Sequence, residues 1–172
     1  VALVQIADEH GIALVDALSV DLQPFAKVLD GPGLAVMHAA RQDMEVMERS
    51  CGTVPSRLVD TQLAAGFLGY TSPSLSTLLE RELQVRAPKA DRLTDLLRRP
   101  LGDAQLTYAA ADVAHLLELH TILMERVEAK GRTDWVEAAC EELRTEHRGP
   151  RDPDEAWRKI KEIRHLRDSA LA

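Results

Sequence analysis

The sequence predicts an α/β domain with a mixed sheet and a helical second half. Three observations lead to this fold class. Short apolar segments alternate with helical segments up to Leu68, the first two apolar segments flank a tight turn, and the pattern from Leu75 onward is almost entirely helical. The 172 residues are enough for one hydrophobic core without disulfides or structural metal ions.

The strands come first along the chain. Residues 1–7 and 12–15 are apolar and flank Asp-Glu-His-Gly, so they predict an antiparallel hairpin. Residues 21–29 then predict a short helix that Gly-Pro-Gly ends, and residues 34–37 predict another apolar strand. We therefore expect the hairpin to contribute the antiparallel part of the sheet.

Helices take over in the next segments. Residues 40–49 predict a helix that ends near Gly52, residues 58–59 a short extended piece, and residues 61–68 a helix that ends at Gly69. Strand and helix therefore alternate through this part of the chain.

The second half of the chain predicts helices only. They cover residues 75–83, a long stretch from Asp103 to about Ala129, and residues 135–146. Residues 148–153 have the composition of a linker, and residues 154–172 carry an apolar stripe at helical spacing. We expect one domain over 1–147, followed by this linker and the start of a second domain.

Composition excludes several classes of protein. Apolar residues make up 45% and charged residues 28% of the chain, which is an ordinary globular balance. No segment has the length of a membrane span or the form of a signal peptide, so we expect no membrane association. The net charge of −7 argues against a protein that coats nucleic acid by charge alone. The two cysteines form no metal-binding spacing, so we expect reduced thiols and a cytoplasmic location.

Two acidic residues lie on apolar helix faces, where a carboxylate is costly unless it is paired, hydrogen-bonded or bound to a cation. Asp43 shares a face with Val46 and Met47, and Asp112 lies one helical turn after Tyr108. A partly exposed aspartate and a core tyrosine are the ordinary alternatives. Asp16 and Asp60 differ, since each follows a strand, where turn or helix-cap roles explain it without chemistry.

Four blocks of sequence carry a resemblance to a known family. They are His-Ala-Ala-Arg-Gln-Asp-Met-Glu-Val at 38–46, Val-Asp-Thr-Gln-Leu-Ala-Ala at 59–65, Arg-Pro-Leu at 99–101 and Tyr-Ala-Ala-Ala-Asp-Val at 108–113. In this order they resemble the ribonuclease D family, in the tyrosine branch of the DEDD 3′-5′ exonucleases. The tail that begins at Asp152 resembles the opening helix of the HRDC domain.

The resemblance implies a ribonuclease H-like exonuclease fold and a metal-dependent mechanism. Asp43 and Asp112 would be catalytic ligands of two divalent cations, Mg²⁺ or Mn²⁺, and Tyr108 would orient a metal-activated water. The family's first motif, an Asp-x-Glu on the initial strand, has no counterpart in this sequence, and we expect it upstream of Val1. Asp43-Met44-Glu45 cannot replace it, because residues two apart on a helix diverge by about 200°.

The resemblance also implies a substrate. We expect the protein to bind RNA 3′ ends, such as those of structured RNA and tRNA precursors. His38, Arg92, Arg98 and Arg99 are the substrate-binding candidates, three of them from the most basic stretch of the domain. A solvated helix surface explains that stretch equally well.

Two alternatives to an exoribonuclease stay open. One is a nucleic-acid-binding module of the same fold that has lost catalysis, and the other is a DNA exonuclease of the same superfamily. An Asp-x-Glu upstream of Val1 would favour the enzyme, whereas the HRDC-like tail favours ribonuclease D. We expect the 172-residue chain itself to have little activity without that motif. The sequence leaves the oligomeric state open.

Overall fold

The computed structural model describes residues 2–86 and 96–146. Arg92, the predicted linker at 148–153 and the predicted tail helix at 154–172 lie outside those residues. The domain boundary after residue 147 therefore stays a prediction.

The predicted hairpin is confirmed. Strand β1 spans Val4–Asp8 and strand β2 spans Gly11–Val15, and they pair antiparallel with Ile6 opposite Ala13. The Asp8 carboxylate accepts hydrogen bonds from the backbone N–H groups of the turn, at 2.8 and 3.0 Å, and so closes the turn.

A parallel strand pair follows. Strand β3 (Ala35–Met37) and strand β4 (Leu58–Asp60) pair parallel, and helix α2 (Arg41–Cys51) connects them. Helix α1 (Ala26–Leu29) precedes them and is entered through a 3₁₀ turn, so the helix predicted for residues 21–29 is shorter than expected. Helix α2 ends where Gly52 takes a left-handed conformation at φ 75°.

The two strand pairs form separate two-stranded sheets among the described residues. The predicted mixed sheet is thus present as an antiparallel pair and a parallel pair. Consecutive residues Val4–Asp8 of β1 and Gly33–Met37 at β3 line one cavity of about 330 Å³. The edges of β1 and β3 therefore face a common space.

The main hydrophobic core lies between the helices. It joins helix α3 (Thr61–Gly66), helix α4 (Leu75–Leu78) with the π-helical turn that continues it (Leu79–Leu83), and the two long helices α6 (Leu116–Ala129) and α7 (Thr133–Thr145). Its members are buried apolar side chains: Ala64, Ala65, Leu78, Leu79, Leu119, Leu123, Val127, Val136 and Cys140.

The prediction of one long helix from Asp103 to Ala129 was wrong. Helix α5 spans Asp103–Ala111, four turn residues follow, and α6 then begins at Leu116. Helix α5 packs against β2, whereas α6 packs against α3, α7 and β3, so the two helices serve different partners. Gly102 provides no capping side chain for α5. The Gln105 side chain instead accepts a hydrogen bond from the Gly102 backbone N–H at 2.8 Å.

Both cysteines, Cys51 and Cys140, are buried and free in the structure. Within the described ranges, no helix combines the length and the apolar character needed to cross a membrane.

Candidate active site

Asp43 and Asp112 line the same cavity, although one lies on α2 and the other directly follows α5. The cavity has a volume of about 420 Å³. Its remaining polar side chains come from Gln5, His38 and Ser50. The rest of its lining consists of apolar and cysteine side chains: Leu3, Val4, Leu22, Phe25, Val36, Met37, Val46, Met47, Cys51, Leu75, Val113 and Leu116. The cavity is therefore a mainly apolar cleft with two carboxylates.

Helix α2 places Asp43 in its first turn. Met44 beside it is fully buried and anchors the helix in a second core cluster with Ala40, Leu58 and Leu143. The Asp43 side chain is open to water through the cavity, yet protein atoms surround it, and this desolvation raises the pKa of its carboxyl group. The negative charge of Asp60 raises that pKa further. A bound cation would offset both effects.

Asp112 is the C-cap residue directly after helix α5, and its backbone keeps helical angles of φ −65° and ψ −22°. Desolvation raises the pKa of its carboxyl group. Tyr108, one turn earlier, is half-buried, and desolvation together with the charge of Asp112 raises the pKa of its hydroxyl. Tyr108 is not among the residues that line the cavity, but its phenol lies within the electrostatic influence of Asp112.

His38 follows β3 and lines the cavity. Its Nδ1 lies 3.0 Å from the Thr61 Oγ1, and the Thr61 hydroxyl also donates to the Met37 carbonyl at 3.0 Å. Burial lowers the pKa of His38, although the Asp60 charge and the Pro73 carbonyl raise it. A neutral ring held by Thr61 is therefore the form that the structure favours at neutral pH.

The basic candidates have different surroundings. Arg98 is exposed. Arg99 is half-buried, and its guanidinium donates to the Asp16 carboxylate and to the carbonyls of Ala2 and Leu96. Neither arginine lines the cavity. The structure thus brings together Asp43, Asp112 and His38 and leaves the two arginines outside.

The donor set fits a hard divalent cation. Mg²⁺ takes oxygen ligands, keeps several waters and is commonly bound through one or two protein carboxylates. Within residues 2–86 and 96–146, however, no group of three or more His, Cys, Asp or Glu side chains is close enough to hold a metal ion. The described residues therefore supply two carboxylates toward such a site.

Sequence reasoning missed three polar residues at this site, Gln5, Ser50 and Thr61. Gln5 interrupts the apolar strand β1 and lines the cavity, and this interruption was a usable signal. Thr61 holds His38 from a position 23 residues away, for which the local sequence gives no indication.

Comparison with known proteins places the chain in a family. The 3′-5′ exonuclease family matches residues 1–128. Ribonuclease D of Cronobacter turicensis is 39% identical over 176 residues, which cover 99% of this chain and 47% of that protein. The chain thus spans about half the length of the curated relatives that it matches.

Solved structures agree with this similarity. The crystal structure of Escherichia coli RNase D superposes on this chain with a TM-score of 0.87 at 34% sequence identity. The alignment covers 99% of this chain and 46% of the RNase D chain. Brucella melitensis NrnC with bound Mg²⁺ superposes with a TM-score of 0.75 at 29% sequence identity. That alignment covers 84% of this chain and 73% of the NrnC chain. The ribonuclease H-like fold class expected from the four motifs is therefore confirmed.

Proposed function

The chain belongs to the 3′-5′ exonuclease family and resembles ribonuclease D over nearly its whole length. From this premise we propose that it forms the catalytic domain of a metal-dependent exoribonuclease that hydrolyses RNA phosphodiesters from the 3′ end. The observation that carries the proposal is the meeting of Asp43 and Asp112 in one cleft.

The two carboxylates hold divalent cations in this proposal. A bound Mg²⁺ or Mn²⁺ supplies a Lewis acid for the phosphate oxygens and lowers the pKa of bound water. Asp43 and Asp112 provide the negative charge that retains such ions, and their desolvated surroundings strengthen that attraction.

Tyr108 orients the attacking water. Its raised pKa keeps the phenol protonated at neutral pH, so it acts as a hydrogen-bonding group and does not remove a proton. Its position one turn before Asp112 places the phenol within the electrostatic influence of the carboxylate that is proposed to hold the cation.

The cavity receives the terminal nucleotide of an RNA. Its volume of about 420 Å³ lies within the usual range of small-ligand pockets, about 300–1,000 Å³. A relative, Brucella melitensis NrnC, has been solved with bound pGG, and the Escherichia coli RNase D is described as an exoribonuclease involved in structured RNA processing. We propose the 3′ ends of structured RNA, such as tRNA precursors, as substrates.

His38 and the arginines contact this RNA in the proposal. His38 lines the cleft, and exposed Arg98 is available to the phosphate backbone outside it. Arg92 and Arg99 are proposed for the same backbone, although the Asp16 ion pair engages the Arg99 guanidinium.

Metal binding is tested on the 172-residue chain. Paramagnetic Mn²⁺ should broaden the NMR signals of residues around Asp43 and Asp112 and leave the exposed Trp135 indole signal sharp. Asp112→Asn should weaken this broadening. Uniform broadening, or none, would count against a cation site in the cleft.

Activity is tested on the full-length gene product. With 5′-labelled RNA and Mn²⁺ we expect a ladder that shortens from the 3′ end, and we expect no shortening by the Asp112→Asn variant. Equal degradation of DNA of the same sequence would favour a DNA exonuclease. RNA binding without any turnover would favour the inactive module.

A further inference from the structure

Asp60 is a buried carboxylate that receives more hydrogen bonds than its helix requires. Its side chain is 2% exposed, and it caps α3 by accepting from the backbone N–H groups of Gln62 and Leu63 at 2.8 and 3.3 Å. It also accepts from the N–H groups of Ala39 and Ala40, at 3.1 and 2.8 Å. Those two donors lie 21 and 20 residues away in sequence, so they serve another part of the fold.

The second pair of bonds fixes the loop between β3 and α2. Ala39 has a left-handed backbone with φ 55°, a conformation that is sterically unfavourable for any residue with a Cβ atom. The bonds to Asp60 hold this conformation, because they orient two successive N–H groups toward one carboxylate. Helix α2 begins directly afterwards, and its first intrahelical bond runs from the Met44 N–H to the Ala40 carbonyl at 2.9 Å.

That loop joins two residues of the cavity. His38 precedes it, and Asp43 lies in the first helical turn after it. The next residue of the capping segment, Thr61, bonds to the His38 ring and to the Met37 carbonyl. The start of α3 thus holds residues 37–40, which lead from β3 through His38 into the helix that carries Asp43.

We propose that Asp60 is a positioning residue of the active site: its carboxylate fixes the direction in which α2 leaves β3 and so aims Asp43 into the cleft. This inference rests on the proposed function for the identity of the site. It goes further in assigning a functional task to a residue whose position suggests a cap alone. Groups that orient metal ligands typically change metal affinity 10–100-fold when they are removed.

Two substitutions separate capping from positioning. Asp60→Ser keeps a good N-cap for α3, but its short side chain cannot also reach Ala39 and Ala40. Asp60→Asn keeps one acceptor oxygen and directs an NH₂ group at backbone donors. Asp16→Asn is the matched control, since Asp16 also follows a strand and accepts backbone and side-chain bonds, but lies outside the cavity.

The first measurement needs no metal ion. In Asp60→Ser we expect the Ala40 amide to exchange with solvent about tenfold faster or more, and the Asp43 carboxyl carbon to shift its NMR signal. The amides in the middle of α3 should keep their protection because the cap remains. Unchanged Ala40 and Asp43 signals would overturn the proposal.

The second measurement is the dissociation constant for Mn²⁺. We expect it to rise about tenfold or more in both Asp60 variants and to stay at the parent value in Asp16→Asn. Parent affinity in Asp60→Ser would show that Asp60 only caps α3. If the parent chain binds no Mn²⁺ while the Ala40 and Asp43 signals still respond to Asp60→Ser, the proposed metal function fails and the positioning role stands.

Discussion

Arg99 and Asp16 form a bidentate ion pair across 83 residues of sequence, with Nε–Oδ2 at 2.7 Å and Nη2–Oδ1 at 2.6 Å. The pair ties the residues before α5 to the end of the hairpin, and Arg99 also donates to the Ala2 carbonyl at 2.9 Å. Arginine and carboxylate are geometrically matched for this double contact, which makes it stronger than a single surface ion pair.

Asp16→Asn should lower the melting temperature at pH 7. The Arg99 hydrogen bonds hold the pKa of the Asp16 carboxyl well below its usual range, so the stabilisation is fully present above the unfolded pKa of about 3.9. It should be lost as the pH falls through the lower folded value. Thermal melts of the parent and the variant should therefore converge only in strong acid. Equal melting temperatures at pH 7 would show that solvent screening cancels the pair.

Arg98→Met should weaken RNA binding without changing the melting temperature, because Arg98 is exposed. Arg99→Met should lower the melting temperature. Fluorescence anisotropy with a 3′-single-stranded RNA, at two salt concentrations, measures the binding. A loss of affinity in Arg99→Met alone would instead assign the RNA contact to Arg99.

Asp112→Asn should make the metal-free protein more stable at pH 7. Burial raises the folded pKa of Asp112, so its ionised form destabilises the fold at a pH above that value, and the effect vanishes below the unfolded pKa of about 3.9. Added Mn²⁺ should then raise the melting temperature of the parent more than that of the variant. Thermal melts of the parent and the variant, without and with Mn²⁺, measure both the difference in the metal-free melting temperatures and the rise that the metal causes in each. An equal shift of the two melting temperatures in Mn²⁺ would contradict a ligand role.

Tyr108→Phe should lower the single-turnover rate of the full-length gene product with saturating RNA, with little loss of RNA affinity. The substitution removes only the hydroxyl from a half-buried ring, so an interaction made mainly in the transition state is lost while packing stays. Rapid-quench measurement gives the rate. Full retention of that rate would make Tyr108 a packing residue.

Ala39→Gly should be neutral or stabilising, whereas Ala39→Val should destabilise the protein by about 1–2 kcal/mol. The reason is the left-handed backbone at this position, which glycine adopts without a steric penalty and a β-branched residue does not. Urea denaturation of the two variants measures the difference in the free energy of unfolding. Equal stabilities would contradict the strain at Ala39.

The local parts of the fold could be predicted from the sequence. Asp8 and Gly11 specify the hairpin turn, and Gly52 marks the end of α2, because turn and cap chemistry acts over a few residues. The division of the helix near Asp112 could not be predicted. Residues 112–115 contain neither glycine nor proline, and the break follows from the different packing partners of α5 and α6.

In the candidate site, too, the sequence indicates the residues that local patterns mark and misses those whose contacts come from distant segments. The placement of Asp43 and Asp112 on apolar faces indicates both carboxylates from the sequence alone, because a charge among apolar neighbours is costly, and both line the cavity. The full role of Asp60 could not be seen, since its extra donors lie on a segment 20 residues away. Hydrogen bonds between distant segments leave no periodic signal in a sequence.

The facing edges of β1 and β3 also affect how the 172-residue chain behaves in concentrated solution. Each edge presents backbone groups that no other described strand pairs with, and such edges promote aggregation by accepting strands from other molecules. The net charge of −7 opposes this at neutral pH, because copies of the chain repel one another. The amino-acid composition gives an isoelectric point near pH 5.4, where that repulsion disappears. Precipitation of fibrous or amorphous material should therefore set in on mild acidification, well above the pH at which the fold itself loses its ion pairs.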